Sequence, residues 1–204
     1  MKTNYQIVLD EILNNLDGPK RLLLHSCCAP CSSYVIEYLS NYFYITVYYY
    51  NPNIDLEEEY DHRFRELTRF INEFPSKYPI KLVNAGYHHE DFNKISVGLE
   101  NEPERGARCL KCYRLRLEKS FKYAKENNFD YVTTTLTLSP LKSSKVINEI
   151  GSELEKEYSF SYLYSDFKKR EGYKRSIVLS HEYNLYRQDY CGCKYSKRDR
   201  NLLH

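Results

Sequence analysis

The sequence predicts an α/β fold with a parallel, Rossmann-like sheet that helices cover on both faces. Short apolar or β-branched runs alternate with helical patterns along the chain. The length of 204 residues suits one domain, since about 100–200 residues per domain is usual. With 42% hydrophobic and 28% charged residues, the composition excludes a disordered chain. We therefore expect a single domain over residues 1–204, with residues 165–204 as a C-terminal extension that contains cysteines.

The elements follow from hydrophobic spacing. Apolar residues at helical spacing predict a first helix over 4–16, and the apolar run 21–25 predicts a buried strand. The same reasoning predicts helices at 34–39, 55–74, 109–128, 146–158 and 175–188, and further strands at 43–50, 80–83, 130–135 and 160–164. We expect residues 84–106 to form a loop with a short helix. Residues 135–144 are predicted to be a polar turn, and residues 189–204 an irregular tail.

The N-terminal residues mix polar and acidic side chains and lack the apolar region of a signal peptide. No run approaches the roughly 18 apolar residues of a membrane span. We therefore expect a cytoplasmic protein in a reducing environment, with no membrane partner. In that environment cysteines are more often metal ligands or redox groups than disulfides.

The cysteines fall into three tight groups. They form C-C-x-x-C at Cys27, Cys28 and Cys31, C-x-x-C at Cys109 and Cys112, and C-x-C at Cys191 and Cys193. Such short spacing lets two thiolates reach one metal or cluster without closing a long loop. The first group follows the predicted strand 21–25, and ligands of open α/β sheets bind at the carboxyl ends of strands. The positive end of the helix that follows favours thiolates there.

The spacing of the cysteines does not identify the metal that they bind. Four thiols from the second and third groups suit either a structural zinc site or a [4Fe–4S] cluster. An inert role as small buried hydrophobes and a thioredoxin-type dithiol are weaker alternatives. The three further thiols of the first group favour a redox centre, because a structural zinc site leaves them unexplained.

Five segments carry a family resemblance. They are LLLHSCCAPCSS, YNPNI, RCLKCYRLRL, TTTLTLSP and YRQDYCGCKYS, which occur in order from near residue 22 to near residue 196. Together they resemble the epoxyqueuosine reductases of the QueH type. The resemblance implies reduction of the epoxide of epoxyqueuosine in tRNA to queuosine, the last step of queuosine biosynthesis. It also implies a [4Fe–4S] cluster, an additional non-haem iron and no cobalamin, with an electron donor that the sequence does not identify.

The resemblance makes all seven cysteines candidate ligands. We assign the cluster to Cys109, Cys112, Cys191 and Cys193, and the additional iron to Cys27, Cys28 and Cys31, while a mixed scheme stays open. Two positions depart from the family pattern: Cys31 stands where some relatives carry Asp, and Leu141 replaces the His of an SPHK motif. No role for a histidine at position 141 can therefore apply to this chain.

Further candidates lie in the matched segments. Asp189, two residues before Cys191, is a candidate catalytic residue, and His25 is a candidate proton donor. Packing, capping or solvated roles stay open for each. For the modified base and the anticodon loop of tRNA we predict contacts from Tyr50, Asn51, Asn53, Arg108, Arg114, Lys142, Lys168, Lys169 and Arg187.

The net charge of +2 hides an uneven distribution. Residues 165–204 contain ten Lys or Arg and five Asp or Glu, a net charge of +5, and residues 1–164 carry −3. Basic side chains that neutralise phosphates bind nucleic acid, and interleaved aromatics can stack on unpaired bases. We thus predict a Rossmann-like (HUP-like) epoxyqueuosine reductase with a tRNA-binding extension. The alternative is a zinc-stabilised RNA-binding module without redox activity.

Overall fold

A computed structural model describes residues 3–201. Its sheet has four parallel strands in the order β3-β2-β1-β4, which confirms the predicted fold class. The strands are β1 (Lys20–His25), β2 (Phe43–Tyr49), β3 (Lys81–Asn84) and β4 (Tyr131–Thr134). The helices are α1 (Tyr5–Asn14), α2 (Ala29–Leu39), α3 (Glu57–Glu73), α4 (His89–Ser96), α5 (Ala107–Glu126), α6 (Ser144–Tyr158), α7 (Gly172–Glu182) and α8 (Lys194–Asn201). No helix within residues 3–201 is both long and apolar enough to cross a membrane.

The sheet is buried on both faces. Leu22 and Leu24 of β1 point into a core that α1, α2 and α3 cover, whereas Leu23 points into a second core formed with α5 and α6. This alternation follows from the two-residue period of a strand. A strand that is buried on both faces reads as a continuous apolar run, as RLLLH does.

The helix after β1 begins earlier than predicted. It was expected over 34–39, but α2 begins at Ala29, with Cys28 as its N-cap residue and Pro30 in its first turn. Proline suits the first turn of a helix because no intrahelical acceptor awaits its missing N–H. Cys31 therefore lies inside the first turn of α2 and not in a loop.

The predicted fifth strand over 160–164 is reduced to a single parallel bridge between Val132 and Tyr162. The Val132 N–H donates to Ser161 O at 3.1 Å, and the Leu163 N–H donates to Val132 O at 2.9 Å. The Tyr162 N–H instead donates to the carboxylate of Glu155 at 2.9 Å. The Tyr162 N–H faces away from β4, and its bond to Glu155 anchors the segment to α6.

The predicted polar turn at 135–144 is wrong in its first half. Residues Thr135–Leu138 form a buried 3₁₀ turn directly after β4. The hydroxyl of Thr134 accepts from the Leu136 N–H at 3.1 Å, and the hydroxyls of Thr137 and Ser165 lie 3.0 Å apart. Threonine is buried here because its hydroxyl finds partners inside the protein.

The C-terminal region also differs from its prediction. The helix expected over 175–188 ends at Glu182, since Asn184 takes a left-handed backbone with φ of 46°. The expected irregular tail contains α8. Arg175 of α7 pairs with Glu37 of α2 at 2.6 Å, so this region packs on the first half of the chain.

Candidate functional site

The first cysteine group lies where β1 meets α2. The sulfurs of Cys27, Cys28 and Cys31 all lie within 4.8 Å of one another, and those of Cys27 and Cys28 are 3.8 Å apart. Thiolates that share a tetrahedral metal at bonds of about 2.3 Å lie about 3.8 Å apart. The donor set therefore fits one metal ion.

The three thiols differ in acidity. Hydrogen bonds from the Cys28 and Cys31 thiols hold the pKa of Cys27 well below its ordinary value, and the charges of Arg116 and Lys142 act in the same direction. The hydrogen bond to Cys27 raises the pKa of Cys28 to about 11. Hydrogen bonds to Cys27 and Cys28 also raise the pKa of Cys31. Of the three thiols, Cys27 therefore gives up its proton most readily.

The second and third groups meet although about 80 residues separate them in the chain. Cys109 and Cys112 lie on the first turns of α5, and with Cys191 and Cys193 they line one small cavity of about 20 Å³. The sulfurs of Cys191 and Cys193 are 3.5 Å apart. Four thiols around one cavity are a donor set that suits a [4Fe–4S] cluster. Among the described residues only Cys27, Cys28 and Cys31 have sulfurs close enough together to share a single metal ion.

Gly192 makes the C-x-C geometry available. Its φ of 110° lies in the region that favours glycine. A Cβ at this position would lie 2.8 Å from Cγ1 of Ile54, which is closer than packed carbon atoms approach. The loop also forms a backbone hydrogen bond from the Asp55 N–H to Gly192 O at 3.1 Å. The third cysteine group is thus fixed against the segment that follows β2.

A larger cavity of about 350 Å³ joins the two thiol sites. The sulfurs of the first group lie along its wall, and Cys191 lines both this cavity and the smaller one. The remaining wall is mainly polar and aromatic, including Lys142, Tyr173, Arg187, Gln188, Asp189 and Tyr190. Its volume lies within the range of small-molecule binding sites.

Four of the predicted contact residues are buried. Tyr50 donates its hydroxyl to Asp91 at 2.8 Å, and Arg108 donates to the Leu99 and Glu102 carbonyls at 2.8 and 2.7 Å. Asn51 donates to Ser26 O at 2.9 Å. The fourth, Asn53, lines the small four-cysteine cavity. Their predicted contacts with the substrate stay a prediction, and Asn53 Oδ1 and Arg108 Nε are buried without a hydrogen-bond partner among the described residues.

The other predicted contact residues are more accessible. Arg114 is 39% exposed, but it pairs with Glu153 at 2.9 Å and Glu157 at 2.7 Å. Lys168 pairs with Asp166 at 2.9 Å, whereas Lys169 is exposed. Arg187 and Asp189 are exposed and Lys142 is half-buried, and all three line the larger cavity. The structure therefore places three predicted site residues at the cavity and two in surface ion pairs.

His25 is not a source of protons in this structure. It is fully buried, and burial together with the charge of Arg116 lowers its pKa to about 3. Its Nδ1 lies 2.8 Å from the Thr134 hydroxyl, and its Nε2 lies 3.1 Å from Tyr50 O. The ring is neutral at physiological pH and ties the ends of neighbouring strands together.

The sequence analysis missed two buried arginines at the site. Arg116 donates from Nε to His25 Nε2 at 3.2 Å and from Nη2 to Asn51 Oδ1. Arg63 donates to Glu59 at 2.6 Å and to Cys191 O at 3.4 Å. A signal did exist for Arg116, which stands four residues after Cys112 and so faces the same side of α5. No comparable local signal marks Arg63.

The fold and the site define an α/β protein with a thiol-rich site suited to a metal. The chain matches the family model of Epoxyqueuosine reductase QueH over residues 22–199 and belongs to that family, a family of oxidoreductases. It is 43% identical over 202 residues to Epoxyqueuosine reductase QueH of Staphylococcus epidermidis. The alignment covers 96% of this chain and 85% of that protein. Identity to the protein of the same name from Streptococcus pyogenes is 41%, over 97% of this chain and 79% of that protein. The resemblance seen in the motifs is thereby confirmed.

Proposed function

We propose that this protein reduces the epoxide of epoxyqueuosine in tRNA to queuosine. The observation that carries the proposal is the 350 Å³ cavity, because the first cysteine group and Cys191 of the third group both line it. A base that enters this cavity reaches both thiol groups at once. The names of its relatives support the same activity.

We assign a [4Fe–4S] cluster to Cys109, Cys112, Cys191 and Cys193 and an additional iron to Cys27, Cys28 and Cys31, without cobalamin. When bound, these groups supply single electrons and a Lewis acid for the epoxide oxygen. Cys191 lines both cavities, so it is the thiol that a mixed ligand scheme would share. The chain, taken as one domain with a C-terminal extension, brings both donor sets to one side of the sheet.

The protein's own residues bind and orient the base. Tyr173 and Tyr190 offer aromatic surface along the cavity, and Lys142 and Arg187 offer positive charge. Removing the epoxide oxygen as water consumes two electrons and two protons. Asp189 is exposed and lines the cavity, so its carboxyl group can exchange protons with solvent and deliver them to the departing oxygen.

The tRNA phosphates are proposed to lie along the basic extension. Half of its basic residues pair with carboxylates: Lys168, Arg170, Lys174, Arg175 and Arg198. Within residues 3–201, Lys169, Lys194 and Lys197 are exposed and have no carboxylate within 4.0 Å. Charges that are free of internal partners are the ones available to neutralise phosphates.

One observation favours the alternative of a zinc-stabilised RNA-binding module. The Cys191 and Cys193 sulfurs are 3.5 Å apart, close to the roughly 3.8 Å between two thiolate ligands of one zinc ion. A zinc-stabilised module does not explain the three further thiols beside the larger cavity, and they therefore favour the reductase.

Anaerobic purification with metal and sulfide analysis separates the two functions. The reductase predicts a brown protein that contains iron and inorganic sulfide, with broad visible absorption that dithionite bleaches. A colourless protein that holds only zinc after anaerobic reconstitution with iron and sulfide overturns the proposal.

A further inference from the structure

Arg116 carries a buried positive charge that pairs with no carboxylate among residues 3–201. Only 3% of this residue is exposed. Its hydrogen bonds reach two neutral acceptors, Nε2 of His25 and Oδ1 of Asn51. Among residues 3–201, no Asp or Glu oxygen lies within 4.0 Å of its guanidinium, unlike that of the buried Arg63, which pairs with Glu59 at 2.6 Å. A buried charge without a counter-charge is strongly unfavourable, so Arg116 requires one from elsewhere.

The thiol groups are the available source of that charge. Arg116 lines both the larger cavity, with the first cysteine group, and the small four-cysteine cavity. It follows Cys112 by one helical turn on the buried face of α5. One guanidinium thus acts on both cysteine groups.

We propose that Arg116 is a positioning residue that serves as the shared counter-charge of the two thiol sites. The proposal rests on the proposed function only in that both sites hold metal. A divalent metal held by three or four thiolates leaves each set with a net negative charge. A fixed guanidinium beside them stabilises this loaded state. It stabilises a centre further when the centre gains an electron, because the negative charge grows.

Lys142 lines the same cavities, but it cannot replace Arg116. Lys142 is half-buried, so solvent reaches it and screens part of its charge. Arg116 is enclosed, and His25 and Asn51 fix its orientation. Its charge acts at full strength whether or not substrate is bound.

Zinc titration of the metal-free, reduced protein tests the proposal without requiring turnover or a cluster. Arg116→Gln should weaken Zn²⁺ affinity about 10- to 100-fold, the range typical of groups that support metal ligands. Arg116→Lys keeps the charge and should remain close to wild type. Arg114→Gln is the matched control, because it removes an exposed arginine from the same helix, and its affinity should be unchanged.

Two outcomes overturn the proposal. One is wild-type zinc affinity in Arg116→Gln. The other is equal weakening in folded Arg116→Lys and Arg116→Gln, which would show that only the hydrogen bonds matter. A wild-type protein that never assembles an iron centre refutes the proposed function instead, while the zinc result still decides the role of Arg116.

A second pair of variants keeps the test valid where Arg116→Gln fails to fold. Asn51→Asp places a carboxylate beside the guanidinium and neutralises it, whereas Asn51→Leu does not. Both lose the donor to Ser26 O. Zinc affinity should be at least 10-fold weaker in Asn51→Asp than in Asn51→Leu, and in reconstituted protein the cluster's midpoint potential should be more negative. Equal affinities and potentials in the two variants contradict the counter-charge.

Discussion

The side-chain amide of Asn53 donates to the backbone carbonyl of Cys191 over 3.0 Å. This bond connects the segment after β2 to the C-x-C motif near the end of the chain. Arg63 reinforces it with a second donor to the same carbonyl at 3.4 Å. The third cysteine group is therefore positioned by side chains of the sheet domain, and the extension is part of the site.

Asn53→Ala should lower the free energy of unfolding by about 1 kcal/mol, the usual value of one hydrogen bond, and should also reduce iron retention. Urea denaturation and iron analysis measure the two effects. The control is Asn72→Ala on the exposed face of α3, where a change within about 0.5 kcal/mol is expected. Full iron content in Asn53→Ala would show that the bond does not position Cys191.

The proposed assignment of four cysteines to the cluster and three to the additional iron predicts different absorption spectra for different variants. Cys109→Ala and Cys191→Ala should remove the visible absorption of the cluster, because each deletes one of its four ligands. Cys31→Ala should leave that absorption and lower only the additional iron. Unchanged iron content in Cys191→Ala refutes this assignment, and loss of the cluster in Cys31→Ala indicates a mixed ligand scheme.

Tyr50→Phe should act on stability and not on substrate binding. The change removes the bond to Asp91, so we expect a loss of about 1 kcal/mol in the free energy of unfolding and an unaltered KM for tRNA. Chemical denaturation and steady-state kinetics separate the two quantities. A raised KM with unchanged stability would restore Tyr50 as a substrate contact.

Lys169→Ala should weaken tRNA binding. It should also make the slope of log affinity against log salt concentration shallower by about one, as expected for the loss of one phosphate contact. Lys174→Ala is the matched control, since Lys174 is also exposed but pairs with Glu171. Filter binding over a range of salt concentrations measures both variants, and iron content should stay constant. Identical slopes for the two variants would place the tRNA surface elsewhere.

Local spacing made the first cysteine group and the pair at Cys109 and Cys112 predictable, because such residues meet within one helical turn. The approach of Cys191 to that pair was not predictable from spacing, since it depends on contacts across the fold. Thr137 looked solvated because its hydroxyl partner, Ser165, is remote in sequence. The hydrogen-bond partners of Arg116 were not predictable either, because they come from two other segments.

The fold class was predictable because each strand's pattern reports its own burial. The reduction of the fifth strand to one bridge was not predictable, since the Tyr162 N–H on its outer side bonds to Glu155 of α6. Ordinary tyrosine, asparagine and arginine positions gave no sign of whether they face a cavity or the core. The exposure of a polar side chain is set by its partners, and these are mostly non-local.

Single-turnover conversion of epoxyqueuosine-containing tRNA tests the central claim most directly. Protein reconstituted anaerobically with iron and sulfide, and reduced with dithionite, should convert up to one equivalent of the base to queuosine. The nucleosides are measured by mass spectrometry after digestion. Intact epoxyqueuosine after incubation with iron-loaded, reduced, tRNA-binding protein would contradict the account.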